Sequence, residues 1–507
     1  MNRSIFEDRS LGILLHPTSL PGGSYCGTFG KGAIDWLKIL SIHKIKNWQF
    51  LPLSPTDSTG SPYSSPSSFA LNPWFLDIQE LINDGLVDKS KGGDLKKFEI
   101  PTLDYFEFNV ANKLSNLIGE MLIDSWSYQS ESKKNQFYKW LKVNRWVDEY
   151  SIFMVLREEF EMLPWWKWPQ KFRNKNSDLL HKWCQNNHKK LLTKKLVQWQ
   201  LNNQWLKIKD YAKSLGIKLI GDLPFYVSRD SVDVWSNKEL FSVSNNGDLI
   251  FQSGVPPDYF SSTGQLWGTP VYYWSKHVRS KFDWWKKRFK RQYELVDILR
   301  LDHFRALAGY WRVDGKAQNA IVGKWINSPG FKLLKSLKDY LNVDRLPIIA
   351  EDLGLITEDV NILRNKFYLP GMKILQFAFD GNNDNPYLPK NFEGDNWVVY
   401  TGTHDNSTTL SWWEELDSHS REKIKDNYEI SSNPSWELIE IGLRTDARLF
   451  IAPLQDILSL DDASRTNKPG TVSNNWKWKL NKSLFDIDIY LDKYGALGKT
   501  YCRDSNN

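Results

Sequence analysis

Eight short apolar runs, each closing on a polar or charged residue, limit the fold of this chain more than any other feature. In order they are "GILLHP" (12–17), "NWQFLPLSP" (47–55), "IKLIGDLPF" (217–225), "VDILRLDHF" (296–304), "LPIIAEDLG" (346–354), "MKILQFAFD" (372–380), "NWVVYTGTHD" (396–405) and "RLFIAPLQD" (448–456). Each is β-branched or Leu-rich, and most are followed by a helix-like segment. Near-continuous apolar strands alternating with helices argue for a parallel sheet buried on both faces. Eight such units predict an α/β chain folded as a (β/α)8 TIM barrel, whose active site lies at the C-terminal ends of the strands. Those ends read His16, Asp222, Asp302, Glu351, Asp405 and Asp456.

The runs are unevenly spaced. The stretch 76–216, between the second and third, is longer than a crossover needs. Lys/Glu-rich segments such as "NQFYKWLKVNRWVDEYSIFMVLREEF" predict a mainly helical insertion there. The stretch 228–275 is rich in Gly, Pro, Ser and aromatics and reads as an irregular lid loop. Residues 1–507 are expected to form one catalytic barrel carrying these two insertions.

Charge and cysteine usage exclude several classes. The 507 residues carry 66 Lys+Arg against 60 Asp+Glu, a net charge of +6 with both signs spread along the chain. That is not the basic stripe of a nucleic-acid binder. Cys26, Cys184 and Cys502 lie far apart, which argues against a disulfide framework and for a reducing, cytoplasmic setting. The N-terminus is a poor signal peptide, and no run is long and apolar enough for a membrane span. No His/Cys cluster has ligand spacing, so neither metal nor cofactor is expected. No Gly-rich phosphate loop follows a strand, which argues against a nucleotide-sugar transferase. The 25 Trp are interleaved with polar residues in "MLPWWKWPQ", "FDWWKKRF", "SWWEEL" and "NNWKWKL". For most of them the core is the expected place. As a set, flat apolar rings beside hydrogen-bonding groups suit sugar faces and favour a carbohydrate-active protein.

The acids at the strand ends carry the chemistry. In "LRLDHF", Arg300 and Asp302 share one face of a strand while Leu299 and Leu301 share the other. An arginine offsets the cost of burying a carboxylate and keeps it ionised. This segment alone is equally a structural ion pair and a held nucleophile. Glu351 ends the apolar run "PIIAEDLG", where burial would raise its pKa and suit a general acid. Asp405 follows His404 in "YTGTHDN". Three acids at three strand ends fit glycosyl transfer: one attacks the anomeric carbon, one protonates the leaving oxygen, and one binds hydroxyls as the ring flattens.

From about Gly12 to about Trp478 the chain resembles the 4-α-glucanotransferases of the amylomaltase (disproportionating enzyme) type, within the α-amylase superfamily. The motifs that carry the likeness are "HPTSLPGG", "SPYSSPSSFALNP", "GDLPFYVSRDSVDVW", "GVPPDYFSSTGQLWGTPVY", "LRLDHFRA", "IAEDLG", "YTGTHDN", "APLQDIL" and "NKPGTVSNNWKW", in that order. The resemblance implies Asp302 as nucleophile, Glu351 as general acid/base and Asp405 as transition-state stabiliser. It implies sugar contacts from Tyr63, Asp258, Gln265, Trp267, His303, His404 and Asn475. Arg300 would hold Asp302, and Asp222 would support. It further implies retaining transfer of an α-1,4-glucan segment from a maltooligosaccharide to the 4-hydroxyl of glucose or a glucan. The rival reading is an α-1,4-glucan hydrolase with the same carboxylates. A monomer or weak oligomer is expected, and the C-terminal β-sandwich of α-amylases is not. Ser58 stands where some bacterial members carry a tyrosine at a second glucan site, so the resemblance does not extend to that site.

Overall fold

A computed structural model describes residues 4–504 except Ser24, 92–103, 258–260, Leu355, Glu429 and Ser431. Its strands are β1 (Ser10–Leu14), β2 (Asn47–Gln49), β3 (Lys218–Leu223), β4 (Phe251–Val255), β5 (Gln265–Pro270), β6 (Ile298–Leu301), β7 (Gly309–Asp314), β8 (Gly323–Asn327), β9 (Ile348–Ala350), β10 (Gly371–Ile374), β11 (Trp397–Tyr400) and β12 (Leu449–Pro453).

Eight of these form one parallel sheet in the order β10-β11-β12-β1-β2-β3-β6-β9. Every one lies within one of the eight apolar runs or begins at its edge. The two ends of that order meet where the Ala350 N–H donates to the Pro370 carbonyl at 2.8 Å, so the sheet curls into a (β/α)8 barrel. Alternation along each strand separates two apolar layers. Leu14, Ile220, Ile298, Ile349, Met372, Ile374, Val398, Tyr400, Leu449 and Ile451 fill the interior, with Phe6 among them. Leu299, Leu301, Ile348, Ala350, Val399 and Phe450 face the surrounding helices. Leu299 and Leu301 pointing outward leave Arg300 pointing in, as the two-residue period requires.

Between β2 and β3 the described chain is helical, including Phe108–Trp126, Glu131–Val143, Trp146–Glu159, Ser177–Asn186 and the 27-residue helix His188–Ser214. The last of these does two jobs. Its N-terminal part packs on Phe108–Trp126 and Trp146–Glu159. Its C-terminal part is barrel wall: the Trp205 ring lies against Phe29, Trp48 and Phe50, and its Nε1–H donates to the Leu295 carbonyl at 2.8 Å. Insertion and crossover are therefore one continuous helix.

The segment 228–275, read as irregular, is more ordered than its composition implied. It contributes β4 and β5 to a second, antiparallel sheet of order β5-β4-β7-β8, with a register irregularity between Gln252 and Gly254. The ladder partners come from 309–327, after β6, so the pairing could not be read from either stretch alone.

Candidate active site

The strand-end acids converge above the barrel interior. Arg300, buried on β6, sits between two carboxylates: Nη1 is 2.7 Å from Asp222 Oδ2 at the end of β3, and Nη2 is 3.0 Å from Asp302 Oδ1. The paired carboxylates hold the guanidinium pKa well above its ordinary value against the opposing effect of burial. Burial pushes the Asp222 carboxyl upward, and Arg300 resists that push. The Tyr63 hydroxyl donates to Asp222 Oδ2 at 2.7 Å, and burial keeps it a neutral phenol. Asp222 is almost wholly covered, whereas the Asp302 side chain keeps 30% of its surface open to the cleft. One guanidinium thus serves an inner, anchoring carboxylate and an outer, accessible one.

Glu351 follows β9. Its Oε2 accepts the His303 N–H at 2.7 Å and its Oε1 accepts the Leu353 N–H at 3.0 Å. Burial pushes its pKa to about 7 in spite of Arg300, and neighbouring Asp302 pushes the same way. His303 has a left-handed backbone, φ 52°, that turns its N–H toward Glu351. Burial lowers its imidazole to about 4, so the ring is neutral near pH 7. The edge of that ring meets the half-exposed Trp267 on β5, centroids 4.7 Å apart and 89° between planes. The second sheet therefore delivers an aromatic wall to the His303 turn.

On the far side, His404 and Asp405 follow β11. Asp405 Oδ1 accepts from Asn467 Nδ2 at 2.6 Å, while its carbonyl accepts from Arg465 Nη2 at 2.6 Å. His404 Nε2 lies 3.4 Å from Asp405 Oδ2, and its ring stacks on Tyr63 at 5.2 Å and 12°. Trp476, with φ 65°, lies 5.8 Å from Tyr63 and 6.0 Å from His404.

Ion pairs, hydrogen bonds and ring contacts thus link Tyr63, Asp222, Trp267, Arg300, Asp302, His303, Glu351, His404 and Asp405 around one cleft. Gln265 is exposed on β5, and its Oε1 accepts from Trp267 Nε1 at 3.4 Å. Asn475 is buried and its amide is occupied: Oδ1 accepts the Lys468 N–H and Nδ2 donates to the Thr471 carbonyl, both at 3.0 Å. It orders the loop that presents Trp476. Asp258, Tyr259 and Phe260 lie outside the described residues. Tyr272, an aromatic of the lid segment, is buried and donates its hydroxyl to the Phe225 carbonyl at 2.6 Å, so it packs inward and does not face the cleft. Asp456, the last strand-end acid, is buried under Thr401 and Thr409 and holds the β11–β12 loops together. Of Arg465, Asn467 and Trp476, which also line the cleft, sequence reading left Arg465 unmarked and quoted the other two only within "NKPGTVSNNWKW", without a role of their own. They sit in polar turn segments, with no apolar run to mark them. Among the described residues no group of three or more His, Cys, Asp or Glu is arranged to hold a metal ion.

A family model described as 4-alpha-glucanotransferase matches residues 15–484. The 4-alpha-glucanotransferase of Synechocystis sp. is 38% identical over 479 residues, covering 94% of both chains. That of Thermus thermophilus is 36% identical over 482 residues, covering 93% of this chain and 95% of its own. Among solved structures, the amylomaltase from Streptococcus agalactiae in complex with acarbose superposes with a TM-score of 0.91 at 31% identity, over 97% of this chain and 99% of that one.

Proposed function

The chain belongs to the 4-alpha-glucanotransferase family, and from that premise we propose which side chains perform the transfer. Asp302 attacks the anomeric carbon of an α-1,4-glucan while Glu351 gives its proton to the departing glycosidic oxygen. The C1–O4 bond breaks and a glycosyl ester on Asp302 forms. The 4-hydroxyl of glucose or of a second glucan then attacks the same carbon. Its proton passes to Glu351, the ester breaks, and a new α-1,4 linkage replaces the old one. Asp405 and His404 bind sugar hydroxyls and gain strength as the ring flattens. Asp222 holds Arg300, which in turn holds Asp302.

The observation that carries this reading is the opposed setting of two carboxyls in one cleft. Glu351 is pushed to about 7 by burial, so it retains a proton near neutral pH. Asp302 faces the cleft with a guanidinium at 3.0 Å as its countercharge. Two acids with different environments are what an acid-and-nucleophile pair requires. Transfer in preference to hydrolysis is supported by the Tyr63, Trp267, His404 and Trp476 rings around the cleft, which suit stacking an incoming glucan and keeping water out. Trp267 and Gln265 belong to this acceptor wall. Asn475 contributes by ordering the Trp476 loop.

Donors are α-1,4-glucans and maltooligosaccharides. The protein works in the cytoplasm as a monomer or weak oligomer, without metal or cofactor. No helix among the described residues is long and apolar enough to cross a membrane. Product analysis from pure maltotriose tests the reading. Glucose and longer maltooligosaccharides should appear while total reducing ends stay constant, because each transfer breaks one linkage and makes one. Rising reducing ends with no product longer than the substrate would show a hydrolase instead.

A further inference from the structure

The Leu353 N–H that reaches Glu351 Oε1 lies only two residues along the chain, so its aim depends on the residue between them. That residue is Asp352, buried at 8% exposure and with both carboxylate oxygens engaged. Oδ1 accepts the Met372 N–H at 2.8 Å, and Oδ2 pairs with the Arg364 guanidinium. The guanidinium lies over Trp397, 4.3 Å from the ring centroid. At Gly371 a Cβ would collide with Arg364 Nη1, Asp352 Oδ2 and the Trp397 ring at once. The glycine is thus required by space and not by backbone angle.

This cluster sits at a particular place in the barrel. β9 and β10 are the two ends of the strand order, and they meet at the Ala350–Pro370 bond. Two residues beyond Ala350, the Asp352 carboxylate accepts from Met372 of β10 as a strand carbonyl would. A side chain supplies the next rung of the ladder, just where the backbone must turn away to present Glu351.

We propose that Asp352 is a positioning residue for the transfer: its carboxylate, fixed by Met372 N–H and Arg364, closes the β9–β10 seam and so aims the Leu353 N–H at Glu351. The proposal rests on Glu351 being the proton donor to the leaving oxygen. Without the fixed peptide, Glu351 loses one of its two main-chain donors and its proton is placed less well. Misplacement of a catalytic group by about 1 Å costs on the order of 10²-fold in rate. Loss of a hydrogen bond to the charged form raises the carboxyl pKa further.

The test compares leaving groups. Asp352→Asn should lower turnover of maltotriose by roughly 10- to 100-fold with KM within about 3-fold. On a 4-nitrophenyl α-maltooligoside, whose departing phenolate needs no proton, the single-turnover release of nitrophenol should fall by less than about 5-fold. The double variant Asp352→Leu/Arg364→Met removes both members of the ion pair, leaving the Met372 N–H and the Lys373 ammonium without the carboxylate. It should be more stable than Asp352→Asn, which strands the guanidinium, but should not regain the maltotriose rate. Equal losses on both substrates, or a maltotriose rate that returns with stability in the double variant, would reduce Asp352 to a structural residue and overturn the proposal. Glu351→Gln is the separate control for the underlying reading. If it too loses both substrates equally, the assignment of Glu351 as acid has failed, and the proposal falls with it.

Discussion

At the scale of single residues, the cleft is a set of carboxyls that differ only in what surrounds them. Asp302 is expected to be indispensable and structurally dispensable. Asp302→Asn leaves Arg300 its 2.7 Å partner in Asp222, so the fold should survive. Turnover should drop about 10³-fold, as for other positioned catalytic groups. A variant with more than a tenth of wild-type turnover and an unchanged circular dichroism spectrum would remove Asp302 from the role. Glu351 yields a pH prediction with a definite sign. Its carboxyl sits at about 7 in the fold against 4.5 for an unperturbed glutamate, so between those values the folded state holds a proton that the unfolded chain releases. Stability from this group is present below about 4.5 and is lost as the pH rises through about 7. Thermal melts of Glu351→Gln should therefore improve relative to wild type from pH 5 to pH 8, while the wild-type kcat/KM falls above about 7 as the acid deprotonates. A stability difference that stays flat over that window contradicts the burial of an ionisable Glu351. Arg300, Asp302, His303 and Glu351 were legible as neighbours of one cleft because each lies on or just after an apolar strand, whereas Asp405 stands in the loop beyond β11. Asn467 and Arg465, which orient Asp405, were not legible. They lie more than fifty residues away, in a polar turn that looks like any other surface loop.

At the scale of elements, strands and helices were far easier to read than their accessories. All eight barrel strands lie within or at the edge of short apolar runs, because a strand covered on both faces has no polar face to disguise it. The second sheet was missed because β5 is half-exposed and its ladder partners lie beyond β6. Most tryptophans lie in the core, as expected. Sixteen of the twenty-five are buried, among them Trp165, Trp168, Trp284 and Trp285 of the quoted aromatic clusters, so those clusters are core and not sugar platforms. The helix His188–Ser214 carries a less visible device. Gln198 and Gln204, six residues apart and both buried, each clasp the backbone N–H and C=O of one residue in the loop after β2. Gln198 accepts the Leu71 N–H at 2.9 Å and donates to the Leu71 carbonyl at 2.8 Å. Gln204 does the same for Asp77, at 2.9 Å each way. These amides substitute for strand neighbours that the loop lacks. Gln198→Leu strands a buried N–H and C=O together and should cost on the order of 2–3 kcal/mol, read as a lower urea midpoint with an unchanged slope. A shift under about 0.5 kcal/mol would mean that the loop finds other partners.

At the scale of the whole molecule, the last described residues fasten the first. The Arg503 side chain is fully buried, and its guanidinium donates to the carbonyls of Leu443, Thr445, Ala447 and Ser10. It joins the helix Asp488–Thr500 to the approach of β12 and to β1. Burial lowers its pKa to about 9, yet it stays charged at neutral pH because carbonyl dipoles surround it. Arg503→Met keeps the bulk and removes the donors, leaving several buried carbonyls unpaired. A loss on the order of 3 kcal/mol is expected. Differential scanning calorimetry should show a lower melting temperature, with maltotriose turnover at 25 °C little changed because the site lies at the opposite end of the strands. Melting within about 2 °C of wild type would show that these carbonyls find other donors. None of this was visible in the sequence, where no apolar run or motif marks Arg503.

The pairing of β1 with β12 has a consequence for how the protein is made. Ser10 stands opposite Leu449 in the register, so one whole edge of β1 waits for a strand more than four hundred residues further along the chain. On a ribosome, β1 emerges with its apolar residues and an open edge long before its partner exists. Until then it is a template for any other extended segment, including the same strand of a neighbouring nascent chain. Such long-range closure also makes folding slow relative to chains built from local contacts. The barrel can therefore lock only after β12 has emerged, and the period of risk is the time taken to translate everything between these two strands.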